Sequence, residues 1–286
     1  MSGRGTRAAP GRAGVLACLL LLAVLVSGCA APAAQRGTAP ARAVAPDGPA
    51  PDAWGDGETQ RARRPLAGRV VVLDAGHQRG NRHFPRQINR LVQAGGFRKP
   101  CNTTGTATAS GYPESTVAWR VTRILQRRLQ RWGAEVVLVR TSDRDDRWGP
   151  CIDVRGRAGN RIDADLKVSV HGDGNLARGA RGFHVIVPTS RRGWTDDIAR
   201  PSLRAGRRLR AALDRAGLER STYLGGGSGL VRRGDLGTLN LSDVPTVMVE
   251  LGNLRHPTDA HRLTSPRGQR RHALALARGI RAHLRR

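Results

Sequence analysis

Apolar residues in this chain fall into short β-branched runs, alternating with stretches of longer, helical repeat. The first run, Val70-Val71-Val72-Leu73, reads as a buried strand over 69–73. It drives into Asp74-Ala75-Gly76-His77, where Gly76 permits a sharp exit. Val117, Val121, Ile124, Leu125 and Leu129 then recur at helical spacing and predict a helix from Pro113 through Arg131. Pro113 suits its first turn, Glu114 complements its positive end, and Gly133 stops it. Further strands are expected at 136–139, 166–170, 182–187 and 246–251. A short helix is expected over 152–160, a basic amphipathic helix over 203–216 and a terminal helix over 272–284. The strand–helix–strand order argues for an α/β fold, with a parallel sheet and right-handed crossovers. Between Gln78 and Tyr112 no period of 2 or 3.6 survives, so a long irregular segment is expected, either functional or disordered. The glycine-rich stretch 223–229 lacks both the phosphate-loop and the dinucleotide spacing and reads as a flexible loop.

The N-terminus has a different pattern. Arg4, Arg7 and Arg12 precede an apolar run, Gly14 to Val26, that is too short for a membrane span of about 20 residues but suits a signal-peptide core. The run ends in Leu25-Val26-Ser27-Gly28-Cys29, which resembles a bacterial lipobox and makes 1–28 a lipoprotein signal peptide with Cys29 lipidated. Ordinary cleavage after Ala30 or Ala34, or an uncleaved anchor, are the alternatives, and all three export the protein. Residues 29–67, rich in Ala and Pro, are expected to form a disordered tether, leaving 68–286 as a single catalytic domain.

Composition adds less. Net charge is +27, carried by arginine, with Lys99 and Lys167 the only lysines. Such basicity asks for an anionic neighbour. Aromatic residues, at 3%, are too few for a base-stacking platform, and export argues further against nucleic acid. Anionic wall polymers and lipid headgroups remain. Of four cysteines, Cys18 and Cys29 lie in or beside the signal segment; Cys101 and Cys151, outside the cytoplasm, most simply pair.

Three expected strand ends and one helix start carry the candidate chemistry. His77 follows the first strand, His171 the third, and Glu250 lies near the end of the last, while Glu114 opens the first helix. In a parallel sheet these positions share one edge. Two imidazoles and one carboxylate make a catalytic zinc site with an open position, so His77, Glu114 and His171 are candidate ligands for one zinc ion. Glu250 is the candidate base. Singly, each has a plainer reading: a turn histidine, a helix-dipole carboxylate, a buried hydrogen-bonding histidine, an acid paired to arginine. No HExxH is present, which argues against a zinc peptidase of that kind.

In order, LDAGH, the helix-opening PE, SVHGDGN and PTVMVELGN resemble the zinc-dependent N-acetylmuramoyl-L-alanine amidases, and most closely their single-domain mycobacterial and actinobacterial branch. The resemblance runs from about Arg69 to the C-terminus. It implies a twisted mixed sheet flanked by helices, and hydrolysis of the amide between N-acetylmuramic acid and L-alanine in peptidoglycan. It also implies zinc on His77, Glu114 and His171, catalysis by Glu250, and a paired Cys101 and Cys151. The chain departs from the family at Gly172-Asp173, where Asp173 is expected to order the loop. Asp74 either orients the His77 ring or its turn, or is an ordinary turn acid. Arg79, Arg82, Arg86, Arg90 and Arg98 could cover the site or grip anionic wall polymer, and His83 is expected to be solvated. A monomer is expected. The rival reading is a catalytically silent peptidoglycan-binding lipoprotein of the same fold.

Overall fold

The structure is a computed structural model that describes residues 64–285. The expected signal peptide, Cys29 and the expected tether up to residue 63 lie outside the described residues. Eight strands are present: β1 (Val70–Ala75), β2 (Leu91–Gln93), β3 (Arg98–Pro100), β4 (Glu135–Leu138), β5 (Leu166–Asp173), β6 (His184–Pro188), β7 (Leu230–Arg233) and β8 (Thr246–Asn253). Helices are α1 (Pro85–Asn89), α2 (Glu114–Arg131), α3 (Ile152–Arg157), α4 (Ala199–Arg215), α5 (Gly237–Asn240), α6 (Pro257–Thr264) and α7 (Pro266–Leu284). Six strands form one sheet in the order β4-β1-β5-β8-β6-β7. All its pairings are parallel except β6 against β8, so the sheet is mixed, as the resemblance implies.

The two faces of this sheet differ in kind. Strand side chains alternate, and cross-strand partners share a face. Leu73, Val168, Val247, Val249 and Val185 lie on one face, fully buried. Val117, Val121, Leu125 and Leu129 of α2 seal that face at the helical spacing read from the sequence, and Leu209, Leu213, Leu276 and Ile280 of α4 and α7 extend the cover. Asp74, Ser169, Met248 and Ile186 lie in one register row across the opposite face, and His171, Glu250 and His184 in the next. The runs at 166–170 and 246–251 are therefore two-sided strands, apolar toward the helices and chemical toward the other side.

Several elements differ from expectation. The segment 78–112 is ordered: a 3-10 turn (Arg79–His83), α1 and the antiparallel pair β2–β3 fill it. Its pieces are too short to show a period. The Cys101–Cys151 disulfide ties it to the start of α3, where the Ile152 N–H also donates to the Cys101 carbonyl at 2.7 Å. Strand β7 escaped notice because half of it is arginine, and α5 and α6 are too short to carry a repeat. Helix α4 starts at Ala199 and α7 at Pro266, each ahead of its expected start. Ser265 caps α7 by accepting from the Gly268 N–H, with Pro266 in the first turn. Helix α2 begins at Glu114, with Pro113 its N-cap. The ordered domain also reaches back past residue 68: Leu66 is fully buried in the main core, and its N–H donates to the Trp132 carbonyl at 2.9 Å.

Candidate metal and catalytic centre

His77 adopts a left-handed backbone, φ 54°, directly after β1. The sharp exit is thus made by His77 itself. Gly76 serves another purpose: a Cβ there would lie 2.5 Å from Cε1 and Nδ1 of His171. The His77 turn is held from below. Asp74 is fully buried, pairs with Arg155 and accepts from Ser169 Oγ at 2.7 Å. Arg155 in turn donates to the carbonyls of Ala75 at 2.8 Å and His77 at 2.6 Å. Asp74 therefore acts on the turn through Arg155 and makes no hydrogen bond to the His77 ring. Burial opposes its ionisation, but Arg155, His171, Ser169 and Lys167 hold its pKa below the usual carboxylate value.

The His77 ring has Nδ1 3.2 Å from the Thr103 carbonyl, which leaves Nε2 facing Glu114 Oε1 at 3.1 Å. His171 Nδ1 lies 2.9 Å from the same oxygen. The Gly172 N–H donates to Oε1 at 3.2 Å and the Thr106 N–H to Oε2 at 2.9 Å, fixing the carboxylate from both sides. Burial would raise the Glu114 pKa, yet the two histidines lower it well below the ordinary carboxylate range. Burial likewise disfavours the His77 imidazolium, and Glu114 outweighs that, raising its pKa.

The donor set fits a metal. One ligand atom from each of His77, Glu114 and His171 lies within 4.8 Å of the others. Tetrahedral zinc with nitrogen and oxygen ligands sets donors about 3.3 Å apart, and the distances of 3.1 and 2.9 Å need only a small expansion. His77 shows the usual support of a ligating histidine, its second ring nitrogen set against a backbone carbonyl.

Glu250 stands beside this group, with His171 as its register partner on β5 and His184 on β6. Its Oε2 is buried and has no hydrogen-bond partner among the described residues. Burial, then the negative charges of Glu114 and Asp173, raise its pKa well above the ordinary value, with Arg233 opposing. His184 is almost fully buried, its pKa lowered to about 4 chiefly by burial, so it is neutral at Glu250's side. A cleft of about 530 Å³ opens over these groups, lined by His77, Glu114, His171, Asp173, Arg233 and Glu250 among others.

Asp173 orders the loop after β5: it accepts from the Gly174 N–H and from the Tyr223 hydroxyl, each at 2.7 Å. His83 is exposed and does not line the cleft. Sequence reasoning missed Arg155, Thr103, Thr106, Tyr223 and Arg233. Arg155 lies in Asp-Val-Arg-Gly-Arg, where nothing separates a buried arginine from its exposed neighbours. The others come from loops and from β7, which carry no periodic signal.

Residues 71–282 match the Amidase_3 family, N-acetylmuramoyl-L-alanine amidase. The chain belongs to this amidase family. The amidase is 38% identical over 216 residues to N-acetylmuramoyl-L-alanine amidase Rv3717 of Mycobacterium tuberculosis, covering 75% of this chain and 86% of that protein. Its fold matches the crystal structure of the apo form of the N-acetylmuramyl-L-alanine amidase Ami1 of Mycobacterium abscessus, with a TM-score of 0.71 and 40% identity, over 77% of this chain and 100% of the other. Ami1 of Mycobacterium smegmatis matches with the same TM-score and 35% identity, over 77% and 98%. The resemblance to the mycobacterial branch and the single-domain mixed α/β fold expected from the sequence thus hold. Among the described residues no helix is long and apolar enough to cross a membrane.

Proposed function

We propose that this chain is a zinc-dependent enzyme that hydrolyses the amide between N-acetylmuramic acid and L-alanine in peptidoglycan, outside the cytoplasm. The observation that carries the reading is the meeting of His77, Glu114 and His171 donor atoms beside the unpartnered Oε2 of Glu250. His77 Nε2, a Glu114 carboxylate oxygen and His171 Nδ1 would hold the ion. When bound, zinc supplies Lewis-acid chemistry, polarising the amide carbonyl and making water a competent nucleophile near neutral pH.

The protein's own groups then have distinct tasks. Thr103, Thr106 and Gly172 keep the ligand side chains in place before any ion binds. Glu250 takes a proton from the attacking water at Oε2 and returns it to the alanine nitrogen as the C–N bond breaks. The products are the muramyl carboxylate and the free amine of the stem peptide. Burial raises its affinity for the proton, which favours taking it from the water. The cleft opens to the surface over these groups, where a wall polymer can reach them, and we take the enzyme to act as a monomer. The apolar run 14–26 and the Leu25-to-Cys29 motif support export and lipid attachment at Cys29, and release of the chain from labelled lipid by Cys29→Ser checks the latter.

Defined muropeptides test the reaction. Glu250→Gln should retain zinc and lose stem-peptide release by at least about 10²-fold, the scale of a lost general base. His77→Ala should lose both. Undiminished release by either variant refutes the assignment.

A further inference from the structure

Arginines recur along the outward turns of the three long helices. Arg120 and Arg127 of α2, Arg204 and Arg208 of α4, and Arg270 and Arg278 of α7 are all exposed. Apart from Glu114, which faces the cleft, the only carboxylate on these helices is Asp214. Among the described residues, Arg210 is the one arginine of the three helices with a carboxylate partner. Elsewhere several arginines are balanced, Arg69 by Asp165, Arg82 by Asp145, Arg181 by Glu219 and Arg233 by Asp235, while others such as Arg86, Arg98 and Arg161 have no carboxylate partner among the described residues. An arginine-rich composition alone would scatter charge without sorting the acids away from one face.

This face is continuous, because α7 packs between α2 and α4. At helix spacings of about 8–10 Å it is roughly 20 Å across. At one end Trp132 lies between the guanidinium groups of Arg128 and Arg281, 4.7 and 4.8 Å from its ring. The chain enters the ordered domain at this same end, where the Leu66 N–H meets the Trp132 carbonyl. The cleft opens on the opposite side of the sheet, over Ile186, Met248 and Glu250.

We propose that the arginine face of α2, α4 and α7 is a docking surface for anionic phospholipid headgroups, holding the cleft turned away from the bilayer. A face carried by three packed helices, roughly 20 Å across, matches a plane better than a single polymer strand. Trp132 with its flanking arginines is the residue type enriched at membrane–water boundaries. The described chain begins at residue 64, at that same rim, so an anchor attached at Cys29 would act on the same surface as the arginine face. The proposal is independent of the zinc reading and rests on the proposed export of the chain.

Flotation of the full chain with vesicles tests it, comparing phosphatidylcholine alone with phosphatidylcholine mixed with phosphatidylglycerol. One variant carries Arg127→Gln, Arg204→Gln, Arg208→Gln and Arg278→Gln. A matched variant carries Arg79→Gln, Arg82→Gln, Arg86→Gln and Arg98→Gln on the 78–112 segment. Both keep the N-terminal segment, so its contribution cancels. The unaltered chain should favour phosphatidylglycerol in a salt-sensitive way. The helix variant should lose about 5-fold per arginine, on the order of 10²-fold or more in all, and the matched variant far less. Equal losses in the two variants would overturn the proposal, as would equal binding to both vesicle types. Preference for soluble poly(glycerol phosphate) over vesicles would transfer the face to wall polymer and overturn the lipid assignment. Unchanged muropeptide turnover and unfolding midpoint confirm that the helix variant is folded.

Discussion

A single methyl group should separate the fold from the chemistry. Gly76 does not have a left-handed backbone, so Gly76→Ala meets no positive-φ penalty. The added Cβ would sit 2.5 Å from Cε1 and Nδ1 of His171 and 2.8 Å from Nε2. Carbon atoms rest at about 3.5–4.0 Å, so the ring must retreat by about 1 Å. Metal–ligand distances tolerate about 0.2 Å, and a misplacement of about 1 Å can cost on the order of 10²-fold in rate. The overpacking itself should cost about 1–3 kcal/mol. Purified Gly76→Ala should therefore carry substoichiometric zinc and release stem peptide at least about 10²-fold more slowly, while staying folded. Metal analysis, a defined muropeptide and urea unfolding read these three quantities. The decisive control is a double-mutant cycle: in the His171→Ala background the clash is gone, and the stability cost of Gly76→Ala should disappear. Zinc and turnover within a few-fold of the parent chain, or an equal stability cost in both backgrounds, would refute the reasoning.

Other perturbations reach the same centre by different routes. Asp74→Asn leaves the buried Arg155 without its counter-charge and should cost about 3–5 kcal/mol at neutral pH by urea unfolding. Because the folded pKa of Asp74 is depressed, its stabilisation is full above the unfolded value of about 3.9 and is lost as pH falls through the folded one. The gap between Asp74→Asn and the parent chain should accordingly narrow in acid, and a gap constant with pH would contradict the pairing. Cys101→Ser with Cys151→Ser opens a link across 50 residues and should lower stability by about 4 kcal/mol. Because that link anchors the segment carrying Thr103 and Thr106, zinc should also dissociate faster, as a chelator chase would read.

The candidate site residues could be picked out because each punctuates a strong local pattern. His77, His171 and Glu250 sit at or near the ends of β-branched runs, and Glu114 opens a helix with an unbroken apolar stripe. Parallel topology then brings them to one edge. What stayed hidden depends on partners far apart in sequence. Nothing near Asp74 announces Arg155, and nothing near Gly76 announces the His171 ring that excludes a side chain there. The pair β2–β3 owes its order to the disulfide and to Lys99, whose ammonium donates to the Asp235 carbonyl at 2.9 Å, more than to its own three-residue strands. Nothing in Leu-Lys-Val-Ser-Val announces the fate of Lys167. In the structure Lys167 is fully buried, and its ammonium donates to the carbonyls of Arg155, Gly156 and Thr238.

The alternation in β5 and β8 couples folding fidelity to activity. A slip of one residue in β8 would push Glu250 toward Leu209 and Leu276 and carry Val249 into the cleft. Such a chain loses its acid from the site and, in the same movement, buries a carboxylate in hydrocarbon. A misregistered molecule therefore cannot persist as a well-folded, silent competitor for the wall. A buried, unpaired carboxylate costs several kcal/mol, so the folded population is the one with Glu250 in place.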